Sequence, residues 1–236
     1  MRQTGEAVDR DRLTLARVTP GDTISSSEGR EAMSLLFIFD MDDVLYDYDW
    51  RTRMADMTAI TGHDLDELRR RWWHDDGEWA AEAGRYGSPE NYLEQFNQAM
   101  GVRVDESAWV RARAAAMQVW PDSLAAVRRA SELGTITLLT NNGPLASKHL
   151  RVIAPELVEL FGDHLYTSSD YEARKPQPAV FERVLDRYDT AAENAFFADD
   201  RLENIVGAES LGITSYHFGS SAGMLAAIET FSSGNS

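Results

Sequence analysis

The sequence predicts an α/β protein whose core is a parallel sheet, interrupted after its first strand by a small helical domain. Three observations predict it. The apolar runs at 35–39 and 195–198 each end in paired carboxylates. Strands buried on both faces read as continuous apolar runs, and ligands gather at their C-terminal ends. From Trp120 onward, strand and helix patterns alternate, the signature of a parallel sheet with right-handed crossovers. Between these regions, residues 47–120 carry apolar side chains at three- and four-residue spacing only, with no convincing strand.

Taken in order, residues 1–33 mix charged, Thr, Ser and Gly positions and bury too little to offset ordering entropy, so they are expected to form a disordered tail. Met33, directly before the first strand, reads as an alternative start. The core is expected over 34–46 and 121–223, the helical insert over 47–120, and the end of a C-terminal helix with a tail over 224–236. Within the insert, helices are expected at 54–60, 65–73, 92–100 and 108–119, with Asp64, Ser88 and Asp105 as caps and Pro89 at a first helical position. Beyond it, a helix over 122–133 ends at Gly134 as its C′ residue, followed by a strand at 135–139. Helices from Pro144 and near Pro155, a strand at 164–167, a helix at 177–188, a strand at 195–198, a helix at 202–211 and a strand at 213–217 complete the pattern.

Composition narrows the function. No cysteine is present, which removes thiolate chemistry and disulfides and fits a cytoplasmic location. No apolar run approaches a membrane span, and a net charge of −16 argues against a nucleic-acid partner. An anionic substrate would therefore need local positive charge. Lysine is scarce, occurring only at Lys148 and Lys175.

Four stretches carry the chemistry, and each has an ordinary reading beside the functional one. Asp40-Met41-Asp42-Asp43 is an acidic turn, or a carboxylate pair at a strand end that needs a proton or a cation. Thr140-Asn141 is a helix N-cap, or a phosphate cradle. Lys175, set before Pro176, is a surface charge, or a fixed ammonium that pairs with both Asp40 and a phosphate. Asp199-Asp200 is a favourable helix start, or a second carboxylate pair beside the first. Four carboxylates in one crevice require a cation, and an all-oxygen, water-retaining set is the pattern for Mg²⁺. Arg174 reads as part of a surface loop. Arg111, Arg113, Arg128 and Arg129 read as solvated helix faces. Trp72, Trp73 and His74 read as packing, with His74 the first choice for an insert residue facing substrate.

Together, Asp40-x-Asp42 after an apolar strand, Thr140-Asn141, Lys175-Pro176 and Asp199-Asp200 with Asn204 resemble, in order and spacing, the four motifs of the haloacid dehalogenase superfamily over residues 34–218. The resemblance implies a Rossmann-like core with a helical cap, and is nearest to bacterial glucose-1-phosphate phosphatases and the phosphatase domain of soluble epoxide hydrolase. It implies Asp40 as nucleophile, Asp42 as acid and base, and Thr140, Asn141 and Lys175 as phosphate ligands. The implied Mg²⁺ would be held by Asp40, the Asp42 carbonyl and Asp200, with Asp199 acting through water. Asp43 departs from the glycine that many members carry. The expected activity is hydrolysis of a small phosphomonoester, with a sugar phosphate favoured. Alternatives are a 2-haloacid dehalogenase, which needs neither Mg²⁺ nor Asp42, a phosphomutase, and a non-catalytic binding protein. The insert holds no lysine for phosphonatase chemistry.

Overall fold

The computed structural model describes residues 35–235, so the expected tail over 1–33 lies outside the described residues. The elements run β1 (Leu36–Phe39), β2 (Tyr46–Tyr48), α1 (Trp50–Thr61), α2 (Leu65–Arg71), α3 (Glu78–Glu82), α4 (Pro89–Met100), α5 (Glu106–Ala115) and β3 (Met117–Val119). They continue through α6 (Pro121–Leu133), β4 (Thr135–Thr140), α7 (Pro144–Ile153), α8 (Glu156–Phe161), β5 (Leu165–Thr167), α9 (Pro178–Arg187), β6 (Ala195–Asp199), α10 (Leu202–Glu209), β7 (Thr214–His217) and α11 (Ser221–Gly234). Among the described residues no helix is long and apolar enough to cross a membrane.

The main sheet is parallel throughout, in the order β5-β4-β1-β6-β7. This is the predicted α/β core, with β1 at its centre. Its strand reads as an unbroken apolar run because both faces are covered. Phe37 and Phe39 face one layer with Leu124, Leu157, Ile228 and Phe231, while Leu36 and Ile38 face the other with Val180, Phe181 and Ile205. Phe37 packs against Phe196 and Phe231 at 5.9 and 5.6 Å between ring centroids. Each phenylalanine buried this way stabilises the fold by about 1.5–3 kcal/mol. The C-terminal segment is a full helix, longer than the sequence led one to expect, because Met224, Ile228 and Phe231 bury its inner face.

Two features of the insert differ from expectation. Residues 46–48 and 117–119 pair as a two-stranded antiparallel ribbon, Tyr46 opposite Val119 and Tyr48 opposite Met117, where no strand was foreseen. Three residues are too few for a two-residue period to be visible. The short helix α3 was likewise unforeseen. Asp64 and Ser88 do cap α2 and α4, accepting from Glu67 N at 2.8 Å and Asn91 N at 3.2 Å, whereas Asp105 flanks α5 without a side-chain bond.

The insert shares its core with α7. Trp72, Tyr92, Phe96 and Trp109 form one cluster with Leu145, Ala146 and Ile153. Trp72 lies at its centre, 5.3 Å from both Tyr92 and Phe96, and its Nε1 donates to Glu78 Oε2 at 2.5 Å.

Gly134 ends α6, though not as a left-handed C′ residue. Its backbone is extended, with φ −178°. Glycine is needed there because a Cβ would lie 2.3 Å from the Leu35 carbonyl oxygen. Gly134→Ala should therefore lower stability by about 1–3 kcal/mol, as overpacking does. A thermal melt should shift down by about 2–4 °C for each kcal/mol. An unchanged Tm would mean that this crossing of α6 and β1 gives way.

Candidate active site

Three strand ends build the site. Asp40 follows β1, and its N–H donates to the Ala198 carbonyl at 3.0 Å, carrying the ladder up to the end of the strands. Thr140 closes β4 and Asp199 closes β6; both are buried. Lys175 comes from the loop before α9 and is 1% exposed. Its Nζ lies 2.8 Å from Asp40 Oδ1 and 2.6 Å from Asp199 Oδ2, so one ammonium joins β1 to β6. The contact with Asp40 Oδ1 is an ion pair off the direction of a good hydrogen bond.

The loops are tied as closely. Asn141 Nδ2 donates to the Lys175 carbonyl and Lys175 N donates back to Asn141 Oδ1, each at 2.9 Å. Asn142 Nδ2 donates to Thr140 Oγ1 at 2.9 Å. Asp199 accepts from Arg201 N at 2.8 Å and from Asn204 Nδ2 at 2.9 and 3.0 Å, in addition to Lys175. Asp43 takes a left-handed φ of 58° where a glycine would be easiest, and its Oδ1 accepts from Tyr48 N at 3.2 Å. A short polar side chain that bonds locally is the kind of non-glycine residue that tolerates this region.

The electrostatics follow from burial. Desolvation pushes the Asp40 carboxyl well above its ordinary range; Lys175 opposes the rise, while Asp199 and Asp42 add to it. Burial, reinforced by Asp199, pushes Asp200 up to about 6. Burial alone would lower Lys175, but Asp199 and Asp40 outweigh it and its pKa is raised. Asp40, Asp199 and Asp200 each offer an oxygen within 4.8 Å of the others. One lysine among three such carboxylates leaves excess negative charge, and an all-oxygen donor set suits a hard divalent cation.

A cavity of about 400 Å³ lies above these groups. Asp40, Asp42, Thr140, Asn141, Lys175 and Asp200 line its floor, and Tyr48, Trp50, Arg53, Trp73, Glu78, Trp79 and Glu82 line the insert side. Arg53 is buried, with its guanidinium 5.8 Å from the Trp73 ring and Nη1 donating to Tyr48 Oη at 2.9 Å. Its Nη2 is 3.9 Å from Glu78 Oε1. Across the mouth, Arg174 Nε donates to Glu82 Oε2 at 2.6 Å and the guanidinium sits over Trp79. Burial pushes Glu82 up to about 7 against the pull of Arg174.

The expected residues Asp40, Asp42, Thr140, Asn141, Lys175, Asp199 and Asp200 thus come together around one crevice. Several other expectations are overturned. His74 does not face the cavity; it lines a separate depression with Arg71 and Tyr86. Of its neighbours, Trp72 is core and Trp73 lines the site. Arg174 is a cavity residue, because Glu82 draws it inward. Arg113 is wholly buried and its Nη2 donates to both carboxylate oxygens of Asp42, at 2.6 and 2.7 Å, whereas Arg111 is exposed as expected. Helical spacing carried a signal for two of the missed residues. Arg113 falls four after Trp109 and Arg53 four before Met57, each on its helix's apolar stripe. Glu78, Glu82 and Asn142 had none.

A family model described as haloacid dehalogenase-like hydrolase matches residues 35–212. A protein named as a phosphatase from Mycobacterium tuberculosis is 29% identical over 191 residues, covering 76% of this chain and 84% of the relative. Among solved structures, a HAD family enzyme from Bacteroides thetaiotaomicron in complex with magnesium and inorganic phosphate superposes with a TM-score of 0.65 at 22% identity, over 78% of this chain and 93% of that one. A 2-haloacid dehalogenase from Pseudomonas syringae gives 0.52 at 20% identity, over 78% and 86%. At these identities the structural likenesses establish the fold, and the motif geometry and the family match establish membership: the chain belongs to the haloacid dehalogenase-like hydrolases.

Proposed function

We propose that this enzyme is a Mg²⁺-dependent phosphatase that hydrolyses a small phosphomonoester through an aspartyl-phosphate on Asp40. One observation carries the reading: a second carboxylate, Asp42, stands two residues beyond a buried nucleophile candidate, Asp40, that pairs with Lys175 and forms a cluster with the carboxylates of Asp199 and Asp200. Displacement of halide from carbon uses neither an acid nor a cation, so that arrangement would be without purpose in a dehalogenase. Fold does not decide between them, since a dehalogenase shares it. The phosphatase name of the Mycobacterium tuberculosis relative, and the magnesium and phosphate bound by the Bacteroides enzyme, agree with the reading.

In the first step a carboxylate oxygen of Asp40 forms a bond to phosphorus as the ester P–O bond breaks, and Asp42 gives its proton to the leaving oxygen. In the second, water attacks the aspartyl-phosphate, Asp42 takes its proton, and phosphate leaves with Asp40 restored. Thr140 Oγ1, the Asn141 N–H and Lys175 Nζ would hold the phosphoryl oxygens as charge builds on them. Asp40, Asp200 and the Asp42 carbonyl would hold Mg²⁺. Asp199, whose oxygens are already taken by Lys175, Arg201 N and Asn204, would act from behind. The cation would neutralise the carboxylates and the transferring phosphoryl group, keeping Asp40 ionised where burial alone favours its proton.

The cavity favours a neutral, polar leaving group with an apolar face, such as a sugar. Its volume suits a small molecule. Each arginine that lines the cavity stands by a glutamate, Arg53 by Glu78, Arg174 by Glu82 and Arg201 by Glu203, so none calls for a second anion. Tryptophan faces offer stacking surface, while Arg53 Nε and Nη2 have no hydrogen-bond partner. A hydrocarbon leaving group would leave those donors unmet, at a cost of about 1–3 kcal/mol each.

Asp40→Asn should cut phosphatase turnover by orders of magnitude with the fold unchanged by circular dichroism. Retention of a tenth of the wild-type kcat, about 1.4 kcal/mol of barrier, would remove Asp40 as nucleophile. Chelation by EDTA should abolish turnover and Mg²⁺ restore it, with Asp200→Ala raising the Mg²⁺ requirement. Full phosphatase turnover in the stripped enzyme would overturn the Mg²⁺ requirement, whereas no turnover of phosphate esters with or without Mg²⁺, together with halide release from 2-haloacids, would revive dehalogenation. For the cavity, Trp73→Ala and Arg53→Met should change KM or preference among sugar phosphates far more than turnover of para-nitrophenyl phosphate, and His74→Ala should change neither. Equal losses on every ester would assign Trp73 and Arg53 to packing.

A further inference from the structure

We propose that Arg113 is the positioning residue for Asp42, holding its carboxylate over the cavity for both proton transfers. The proposal rests on the reading of Asp42 as acid and base. Arg113 belongs to α5 in the insert, and none of its side chain is exposed. A single nitrogen, Nη2, donates to Oδ1 and Oδ2 of Asp42 at 2.6 and 2.7 Å. The guanidinium lies 4.2 Å from the centroid of the Tyr48 ring, and Nη1 points to the Met117 sulfur. Tyr48 belongs to β2 and Met117 to β3, so both strands that join insert to core hold the guanidinium in place.

A stabilising role for the fold does not account for this arrangement. Arg113 Nε is buried without an acceptor, and a buried ion pair is commonly no better for stability than apolar side chains of the same volume. The pair does solve a problem at the site. Asp42 stands between Asp40 and Asp43 in sequence, and repulsion from those carboxylates would drive its own, 23% exposed, out towards solvent. Arg113 supplies the opposing pull from the insert side. Because one nitrogen reaches both oxygens, Asp42 can turn one oxygen, carrying the proton in the first step and bare in the second, to the reacting atoms while the other keeps its contact with Arg113.

The two half-reactions separate this role from a structural one. Glycerol 2-phosphate releases an alkoxide that needs a proton, whereas para-nitrophenyl phosphate releases a phenolate that leaves unassisted. In Arg113→Met, kcat/KM for glycerol 2-phosphate should fall by about 10²-fold, the scale of acid–base catalysis. For para-nitrophenyl phosphate kcat/KM should stay near wild type while kcat falls, because hydrolysis of the aspartyl-phosphate still needs Asp42. Stopped flow should then show a burst of para-nitrophenolate of one equivalent per site. Arg113→Lys, which keeps the charge without the planar nitrogen's reach, should lie between. Equal loss of kcat/KM on both esters without a burst, or no loss on either, overturns the proposal. Should the Met variant fail to fold in a thermal melt, the Lys variant carries the same comparison, with the same selective loss expected at smaller size. Failure of the wild-type enzyme on both esters would overturn the phosphatase reading itself, a result distinct from any of these.

Discussion

The Lys175 ammonium, buried between Asp40 and Asp199, is the interaction on which the candidate site depends. Burying a lysine is costly unless its charge is met, and burying two carboxylates close together is costly for the same reason. Each makes the other tolerable. The arrangement joins the ends of the two strands β1 and β6, and Asn141 fastens the Lys175 backbone to the end of β4. Three separate strand ends are thereby held in one geometry before any ligand arrives. With a net charge of −16 over the chain, an anionic substrate would need positive charge at short range, and Lys175 brings such a charge to the cavity floor, where burial makes it act strongly.

The helical insert forms the other wall of the cavity. Its aromatic cluster includes Leu145, Ala146 and Ile153 of α7, and α7 begins immediately after the Thr140-Asn141 edge. The packing that stabilises the insert therefore also locates it over the strand ends. Polar ties reinforce the placement: Ser168 Oγ donates to the Glu82 carbonyl at 2.8 Å, and Arg174 pairs with the Glu82 side chain. Trp50, Trp73, Trp79 and Arg53 of the insert line the cavity opposite the strand ends, where they would meet the leaving group of the substrate proposed above.

Charged residues on the insert, and the one that faces it across the cavity, were the hardest to read from sequence. Arg113, Arg53, Arg174, Glu78 and Glu82 are each a common surface residue type, and each is buried or half-buried here by a partner distant in sequence. Helical spacing places a side chain on the apolar stripe, as for Arg113 and Arg53, without naming the charge that makes burial tolerable. His74 shows the converse. It is adjacent to Trp73 in sequence, but one residue's step rotates it to another surface, where it lines a depression with Arg71 and Tyr86.

By itself the sequence determined the parallel α/β core, most of its helix and strand positions, and the set of side chains gathered at the strand ends. Those are local properties: apolar run length, period, caps and the point where a strand gives way to carboxylates. Tertiary structure alone decided the β2–β3 ribbon, whose strands are too short to show a period, and the extended backbone of Gly134, set by contact with Leu35 rather than by a left-handed turn. It also decided which charges are buried. That choice depends on pairs such as Arg113 with Asp42 and Arg174 with Glu82, whose members are 71 and 92 residues apart. The energy that keeps them inside exists only once the chain has brought them together.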